Sequence, residues 1–225
     1  MQASWNEAAG FDYLQLDPET EATEIPLFIC LHGRGADPSD LAGLAFELEP
    51  EGYRWVLPKG QIPLPMGPGM LGWAWYSIDD DRAAALPKAR EGLRAFVNEV
   101  LTKLNQRRSQ TLIMGFSQGA AMSLHVGLTS PEPFAGIGVM SGYLPAPETL
   151  PNLNVAPPQP ILMVHGTDDQ TLKIEQAREA RARLEAAGLL PRYQELPMDH
   201  QITSESLAVV RDFMIQVLPP ARVAS

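Results

Sequence analysis

Short apolar runs alternate along the chain with longer stretches in which apolar residues recur every three or four positions. The runs LFICL, TLIMG, GIGVM and ILMVH are almost continuously apolar, which is typical of strands in a sheet that helices cover on both faces. The predicted strands are Phe11–Leu16, Pro26–His32, Tyr53–Leu57, Gln110–Gly115, Ala135–Met140, Pro160–His165 and Arg192–Leu196. The predicted helices are Asp37–Leu48, Arg82–Asn105, Gln118–Leu128, Lys173–Ala187 and Ser204–Val217. This order predicts an α/β fold, a three-layer α/β/α sandwich around a mostly parallel central sheet.

Two Pro- and Gly-rich segments interrupt the pattern. One is PKGQIPLPMGPGMLGWAWYSIDD, which follows Leu57, and the other is YLPAPETLPNLNVAPPQP, which follows Gly142. Both are predicted as loops, and loops of such length in a compact domain usually have a function or are disordered. The sequence shows no internal repeat and no linker, so residues 1–225 are predicted to form a single domain.

The composition narrows the range of partners and compartments. Hydrophobic residues make up 45% of the chain and charged residues 20%, as in ordinary globular proteins. The formal net charge of −10 argues against nucleic acids and anionic membranes, because polyanions recruit basic patches. Cys30 is the only cysteine, so an intrachain disulfide is impossible. The N-terminus lacks signal-peptide features and no apolar run approaches the ~18 residues of a membrane span, so we expect a cytoplasmic protein without membrane insertion.

The chemistry centres on the sequence GFSQG, in which Ser117 stands between two glycines. The buried strand TLIM precedes it and a helix follows, which is the setting of a nucleophilic serine on a sharp strand-to-helix turn. On such a turn Gly115 and Gly119 avoid side-chain collisions, and the amide of Gln118 is free to donate to an oxyanion. The alternative is that Ser117 only caps the helix.

A nucleophilic serine requires a base, and the base requires an acid that orients it. The chain offers four histidines: His32, His125, His165 and His200. His125 is predicted to pack within its helix, while His32 and His165 end strands in HG turns, where structural roles are at least as plausible. His200 lies between the last strand and the last helix, where this order of elements delivers a base. Asp168 and Asp169 compete for the orienting role, with Asp169 favoured.

The turn CLHGRGAD offers a second donor for an oxyanion. Its glycines allow close backbone approach, so the amide of Arg34 is predicted to assist that of Gln118. No G-x-G-x-x-G or P-loop pattern accompanies the turn, which argues against nucleotide binding. No His or Cys pair has metal-ligand spacing, so neither a metal nor a cofactor is expected.

Taken together, LHGRGAD, GFSQGAAM, SGYLP, HGTDD and MDH resemble the serine carboxylesterase/phospholipase family of α/β-hydrolases, which includes acyl-protein thioesterases and lysophospholipases. The resemblance runs from about Ile25 to Leu218. It implies the α/β-hydrolase fold, a catalytic triad of Ser117, Asp169 and His200, and oxyanion amides at Arg34 and Gln118. Its departures are Met114 and Ala120, where the family often has glycine, and QTLKIE, which replaces a Val-Pro turn after the acid.

We therefore expect a serine hydrolase that cleaves carboxylic esters of short to medium acyl chains. The alternatives are a thioesterase or lysophospholipase acting on longer acyl chains, and a ligand-binding module of the same fold without turnover. An acyl-binding wall is predicted in the segment after Leu57, although that segment could instead pack its own core. The wall would comprise Met70, Trp73, Trp75 and Tyr76, with Met66 and Leu71 beside them. The oligomeric state cannot be predicted from this sequence.

Overall fold

A computed structural model describes residues 1–20, 22, 24–48, 52–79, 81–150 and 159–221. The ten strands within these ranges are β1 Gln2–Ala8, β2 Phe11–Asp17, β3 Leu27–Leu31, β4 Arg54–Pro58, β5 Ile62–Gly67, β6 Met70–Ala74, β7 Thr111–Phe116, β8 Gly136–Met140, β9 Ile161–Gly166 and β10 Arg192–Leu196. The five α-helices within them are α1 Pro38–Leu48, α2 Arg82–Lys103, α3 Gln118–Leu128, α4 Ile174–Ala186 and α5 Ser204–Val217.

Eight of these strands form one sheet, in the order β1-β2-β4-β3-β7-β8-β9-β10. Strands β1, β2 and β4 pair antiparallel, whereas every pairing from β4 to β10 is parallel. The predicted mostly parallel sheet is therefore confirmed. The parallel order directs the carboxyl ends of β3, β7, β9 and β10 to one edge of the sheet, where ligands of such folds bind.

Two apolar clusters hold helices to the two faces of the sheet. Apolar residues of α2, α3 and α4 share one cluster with Ile29 and Ile113. Those of α1 and α5 share the other cluster with Phe28 and Leu112. Because adjacent strand residues point to opposite faces, a continuous apolar run supplies both clusters at once. The three-layer α/β/α arrangement is confirmed.

The predicted elements agree with the observed ones to within about two residues at each end, but three strands were not predicted. Strand β1 is exposed at every position except Ala8, so no apolar pattern marks it. Strands β5 and β6 form an antiparallel hairpin within the segment that was predicted as a loop, and that prediction is corrected. In the second predicted loop, residues 151–158 lie outside the described residues. None of the helices described is long and apolar enough to cross a membrane.

Candidate active site

Ser117 lies on the turn between β7 and α3, with φ at 54° and ψ at −118°. A positive φ at a residue other than glycine marks a strained turn that the surrounding structure must hold. The Ser117 side chain makes no capping hydrogen bond to the helix. Its Oγ lies instead 2.9 Å from Nε2 of His200. The structure therefore favours the predicted strand-to-helix turn over the capping alternative.

The two glycines of GFSQG permit this turn because no side chain fits at either position. A Cβ on Gly115 would lie 2.3 Å from the carbonyl carbon of Gly119. A Cβ on Gly119 would lie 2.1 Å from the carbonyl oxygen of Leu31 on the neighbouring strand. Both distances are far inside van der Waals contact, so the turn and strand β3 pack backbone against backbone.

We expect Gly119→Ala to destabilise the fold, because the new methyl group would overlap the backbone of Leu31. The cost should reach about 3 kcal/mol or more, which lowers Tm by roughly 6–12 °C in a chain of this size. The loss of Tm is measured by thermal unfolding, monitored by circular dichroism. Gly43→Ala is the matched control, because a Cβ at this position in α1 meets nothing within 4 Å and alanine favours helix. A Gly119→Ala protein as stable as wild type would contradict the steric argument.

His200 connects the serine to a carboxylate. Its Nδ1 lies 2.7 Å from Oδ2 of Asp169, which follows β9. A carboxylate can only accept a hydrogen bond, which assigns the hydrogen to Nδ1 and leaves Nε2 to accept the hydroxyl of Ser117. The structure thus brings the three predicted residues into one hydrogen-bonded line, in the tautomer that a general base requires.

The carboxylate of Asp169 is held on both oxygens. Its Oδ1 accepts the amides of Thr171 at 2.9 Å and Leu172 at 2.8 Å. Its Oδ2, besides accepting from His200, lies 3.4 Å from Nε2 of the buried His165. That nitrogen donates to the carbonyl of Leu172 at 2.7 Å. His165 thereby braces the loop that carries the acid, and these contacts hold the carboxylate of Asp169, only 2% exposed, toward His200.

Asp199 was not predicted as part of the site. Its Oδ1 accepts the amide of His200 at 2.7 Å and that of Gln170 at 2.9 Å. These two amides hold the pKa of the Asp199 carboxyl below its usual range. The side chain therefore links the loop of the base to the loop of the acid. Its position immediately before His200 was visible in the sequence, but its second partner lies 29 residues away.

Two further histidines have structural roles. His32 donates from Nδ1 to the carbonyl of Gly33, and its Nε2 accepts the amide of Gly60. Burial lowers the pKa of its imidazole. His125 donates from Nε2 to the carbonyl of Pro145, and burial lowers its pKa to about 4. Both rings are therefore neutral at pH 7. Among the described residues, no group of three or more His, Cys, Asp or Glu side chains is placed to hold a metal ion.

The predicted oxyanion turn lies next to the serine. A Cβ on Gly33 would lie 3.4 Å from Cβ of Ser117, so the peptide that leads into Arg34 borders the nucleophile. Gln118 begins α3, and the first amides of a helix have no carbonyl partner within it. The two segments that carry the predicted donors therefore border Ser117, one after β3 and one after β7.

The residues predicted as an acyl-binding wall do not share one surface. Exposed apolar side chains lie near the tip of the β5–β6 hairpin, at Met66, Met70 and Leu71. Trp73 lies at the base of the hairpin, with Nζ of Lys59 4.5 Å from its ring centroid. Trp75 and Tyr76 are 6% and 1% exposed and belong to a core cluster. For these two rings the structure favours the alternative that the segment packs into the core.

Comparison with known proteins identifies the family of the chain. The model of the phospholipase/carboxylesterase family matches residues 18–218. The chain belongs to this family. It is similar to acyl-protein thioesterase 1 of Schizosaccharomyces pombe, at 30% identity over 73% of this chain and 78% of that protein. A probable carboxylesterase SOBER1-like of Arabidopsis thaliana is 28% identical over 72% of this chain. The match spans about two thirds of that relative, at 66%.

Solved structures share the fold of this phospholipase/carboxylesterase family member. The crystal structure of esterase PE8 superposes with a TM-score of 0.79 at 26% identity, covering 97% of this chain and all of that one, at 100%. A carboxylesterase from Mesorhizobium loti gives a TM-score of 0.78 at 20% identity, covering 94% of this chain and 98% of that one. The chain is accordingly an α/β-hydrolase and an ester-hydrolysing enzyme of the carboxylesterase type.

Proposed function

We propose that this enzyme hydrolyses carboxylic esters of short to medium acyl chains through an acyl-enzyme on Ser117. One observation carries the proposal: Ser117 Oγ, His200 and Asp169 form a continuous hydrogen-bonded line, with separations of 2.9 and 2.7 Å. Nucleophile and base are within hydrogen-bond reach and the base is oriented by a third group, which is the signature of an activated serine.

The proposed reaction has two steps. Ser117 Oγ attacks the ester carbonyl carbon while its proton passes to Nε2 of His200, and the amides of Arg34 and Gln118 stabilise the resulting oxyanion. His200 then returns the proton to the departing alcohol, which leaves an acyl group on the serine. Water then attacks the acyl-enzyme while its proton passes to His200. The bond between the acyl carbon and Ser117 Oγ breaks as His200 returns that proton to Oγ, which releases the acid and restores the free serine. Throughout, Asp169 orients the imidazole and stabilises its charged form.

A fluorophosphonate probe tests the mechanism directly, since it modifies only an activated serine. We expect stoichiometric labelling at Ser117, located by mass spectrometry of the digested protein. A chain that binds ligands without turnover would show no labelling, and this outcome would support the non-catalytic alternative.

The second candidate is hydrolysis of acyl thioesters, and the relatives favour it. A protein named acyl-protein thioesterase 1 is 30% identical to this chain. The same triad attacks either bond, so the site geometry does not choose between esters and thioesters. A hydrolysis panel of matched esters, thioesters and lysophospholipids, each run against wild type and Ser117→Ala, distinguishes these substrates by their kcat/KM.

We expect the tip of the hairpin to contact the acyl chain and thereby to set the preference for its length. Met66 reaches the oxyanion turn, since a Cβ on Gly35 would lie 2.8 Å from its Cε, and Leu71 beside it is 55% exposed. Each buried methylene contributes about 0.8 kcal/mol, so kcat/KM should rise roughly fourfold per added CH₂ from acetate and then level off within the medium-chain range.

Leu71→Ser should flatten this rise, because the added methylenes lose part of the apolar surface they cover. Rates over a series of p-nitrophenyl esters give the slope. Leu190→Ser is the matched control, because Leu190 is 85% exposed and precedes β10 rather than lying on the hairpin. Identical slopes for wild type and both variants would contradict a role of the hairpin tip in acyl binding.

A further inference from the structure

The end of strand β6 contacts both segments that carry the proposed oxyanion donors. The segment is Trp73–Tyr76, here called the bridge segment. It follows the exposed hairpin tip and precedes α2. Its contacts run in two directions, toward the turn after β3 and toward the start of α3. Neither set is required by the reaction as described above.

Toward the oxyanion turn, the bridge segment pairs backbone to backbone. The amide of Gly35 donates to the carbonyl of Trp73 at 2.8 Å, and the amide of Trp73 donates to the carbonyl of Ala36 at 3.0 Å. The two backbone segments lie in close contact: at Gly72, which immediately precedes the bridge segment, a Cβ would lie 2.0 Å from the carbonyl oxygen of Gly35. The indole Nε1 of Trp75 adds a third bond, to the carbonyl of His32 at 2.8 Å. Bonds thus reach the turn on both sides of Arg34.

Toward the nucleophile helix, the contacts come from the side chain of Gln118. Its Oε1 accepts the amide of Trp75 at 2.9 Å, and its Nε2 donates to the carbonyl of Tyr76 at 2.8 Å. The side chain is buried, with 4% of the residue exposed. Both ends of the amide therefore bind the bridge segment, while the backbone amide of the same residue is the second proposed donor.

We infer that the bridge segment sets the relative orientation of the two oxyanion amides, with the side chains of Gln118 and Trp75 as positioning residues. This inference rests on the proposed function. Gly119 against Leu31 fixes how closely α3 approaches β3, and the carbonyl of Gly33 accepts from His32 Nδ1 and Ala36 N within the turn. These contacts leave the turn as a whole free to tilt relative to α3. The five hydrogen bonds of the bridge segment remove that freedom. Donors aimed in advance at the oxyanion stabilise the transition state most strongly.

The inference also limits any movement of the hairpin. Its base cannot open without breaking the bonds that orient the oxyanion turn, so substrate-dependent motion is confined to the strands and tip at residues 62–71. An acyl chain on the tip would then lie on an element whose base is anchored to the catalytic centre.

Two substitutions test the bridge segment, each with a control that makes the same chemical change elsewhere. Gln118→Met removes both side-chain hydrogen bonds at nearly constant volume. Its control is Gln159→Met, because the buried Gln159 also binds two backbone groups, accepting from Phe134 N and donating to Gly127 O. Trp75→Phe removes the indole donor. Its control is Trp55→Phe, since the buried Nε1 of Trp55 makes no hydrogen bond to the described residues.

The readouts are kcat and KM for a p-nitrophenyl ester, Tm, and the inhibition constant of n-butylboronic acid, whose tetrahedral adduct with serine places an oxygen at the oxyanion position. We expect Gln118→Met and Trp75→Phe to lower kcat by about ten- to a hundredfold at nearly constant KM. The inhibition constant should rise by the same factor as kcat/KM falls. Gln159→Met should lower Tm while kcat stays within about twofold of wild type, and Trp55→Phe should also retain kcat.

The inference is overturned if Gln118→Met and Trp75→Phe keep wild-type kcat, or if they raise only KM. It is also overturned if their kcat falls no further than that of Gln159→Met at an equal loss of Tm. If Gln118→Met fails to fold, Trp75→Phe alone tests the inference, because it keeps an aromatic ring at this position in the core. Ser117→Ala separates the two hypotheses: if it is inactive and does not bind the boronic acid, the proposed function stands whatever the bridge variants show.

Discussion

Ser117→Ala should lower kcat for a p-nitrophenyl ester by about 10⁴- to 10⁶-fold while the protein remains folded. The reason lies in the site geometry: the only hydroxyl within hydrogen-bond distance of His200 Nε2 among the described residues is that of Ser117. Without it no acyl-enzyme forms, and the oxyanion amides can assist only the direct attack of water. Steady-state kinetics and active-site titration with a fluorophosphonate measure the loss.

Ser123→Ala is the matched control for this variant. Ser123 lies on α3, the helix that follows Ser117, and its Oγ donates to the carbonyl of Gly119 at 3.0 Å, so alanine removes a buried hydroxyl without touching His200. Its kcat should stay within a few fold of wild type. Turnover by Ser117→Ala near the wild-type rate would rule out the proposed nucleophile.

Much of this fold is predictable from the sequence because its central strands are buried on both faces. Runs such as LFICL and ILMVH supply the two apolar clusters, and each lies within about two residues of its observed strand. Strand β1 has no such pattern, because it is an edge strand with six exposed residues. The hairpin was missed for a different reason: Pro63 and Pro65 lie within β5, and prolines argue against a strand.

In the candidate site, too, some residues were predictable from the sequence and some contacts were not. Ser117, His200 and the pair Asp168 and Asp169 were predicted because each follows a recognisable strand, and parallel strands end at one edge of the sheet. The family resemblance then selected Asp169 from the pair. The side-chain contacts of Gln118 and Asp199 were not predicted, because their partners are backbone groups of distant segments. A backbone amide has no residue identity, so no spacing in the sequence indicates that Trp75 N will face Gln118 Oε1. Such contacts follow only from the folded chain.

Asp169→Asn should lower kcat by about 10⁴-fold, as expected when the imidazole is held in the wrong tautomer. The surroundings of the acid make this outcome specific. The amides of Thr171 and Leu172 both donate to Oδ1, so an asparagine would keep its carbonyl oxygen there and direct its NH₂ group at His200. Nδ1 would then accept a hydrogen bond, the proton would move to Nε2, and the ring would face Ser117 as a donor that cannot take its proton.

Asp168→Asn is the matched control, because Asp168 is the adjacent, exposed residue of the same turn. It removes the same charge next to the site without changing a partner of His200, and its kcat should remain close to wild type. The fluorophosphonate labelling rate should fall with kcat in Asp169→Asn and not in Asp168→Asn. Comparable losses in both variants would indicate that the site requires negative charge in this turn rather than an oriented imidazole. In that case Asp169 would not be the acid of the triad.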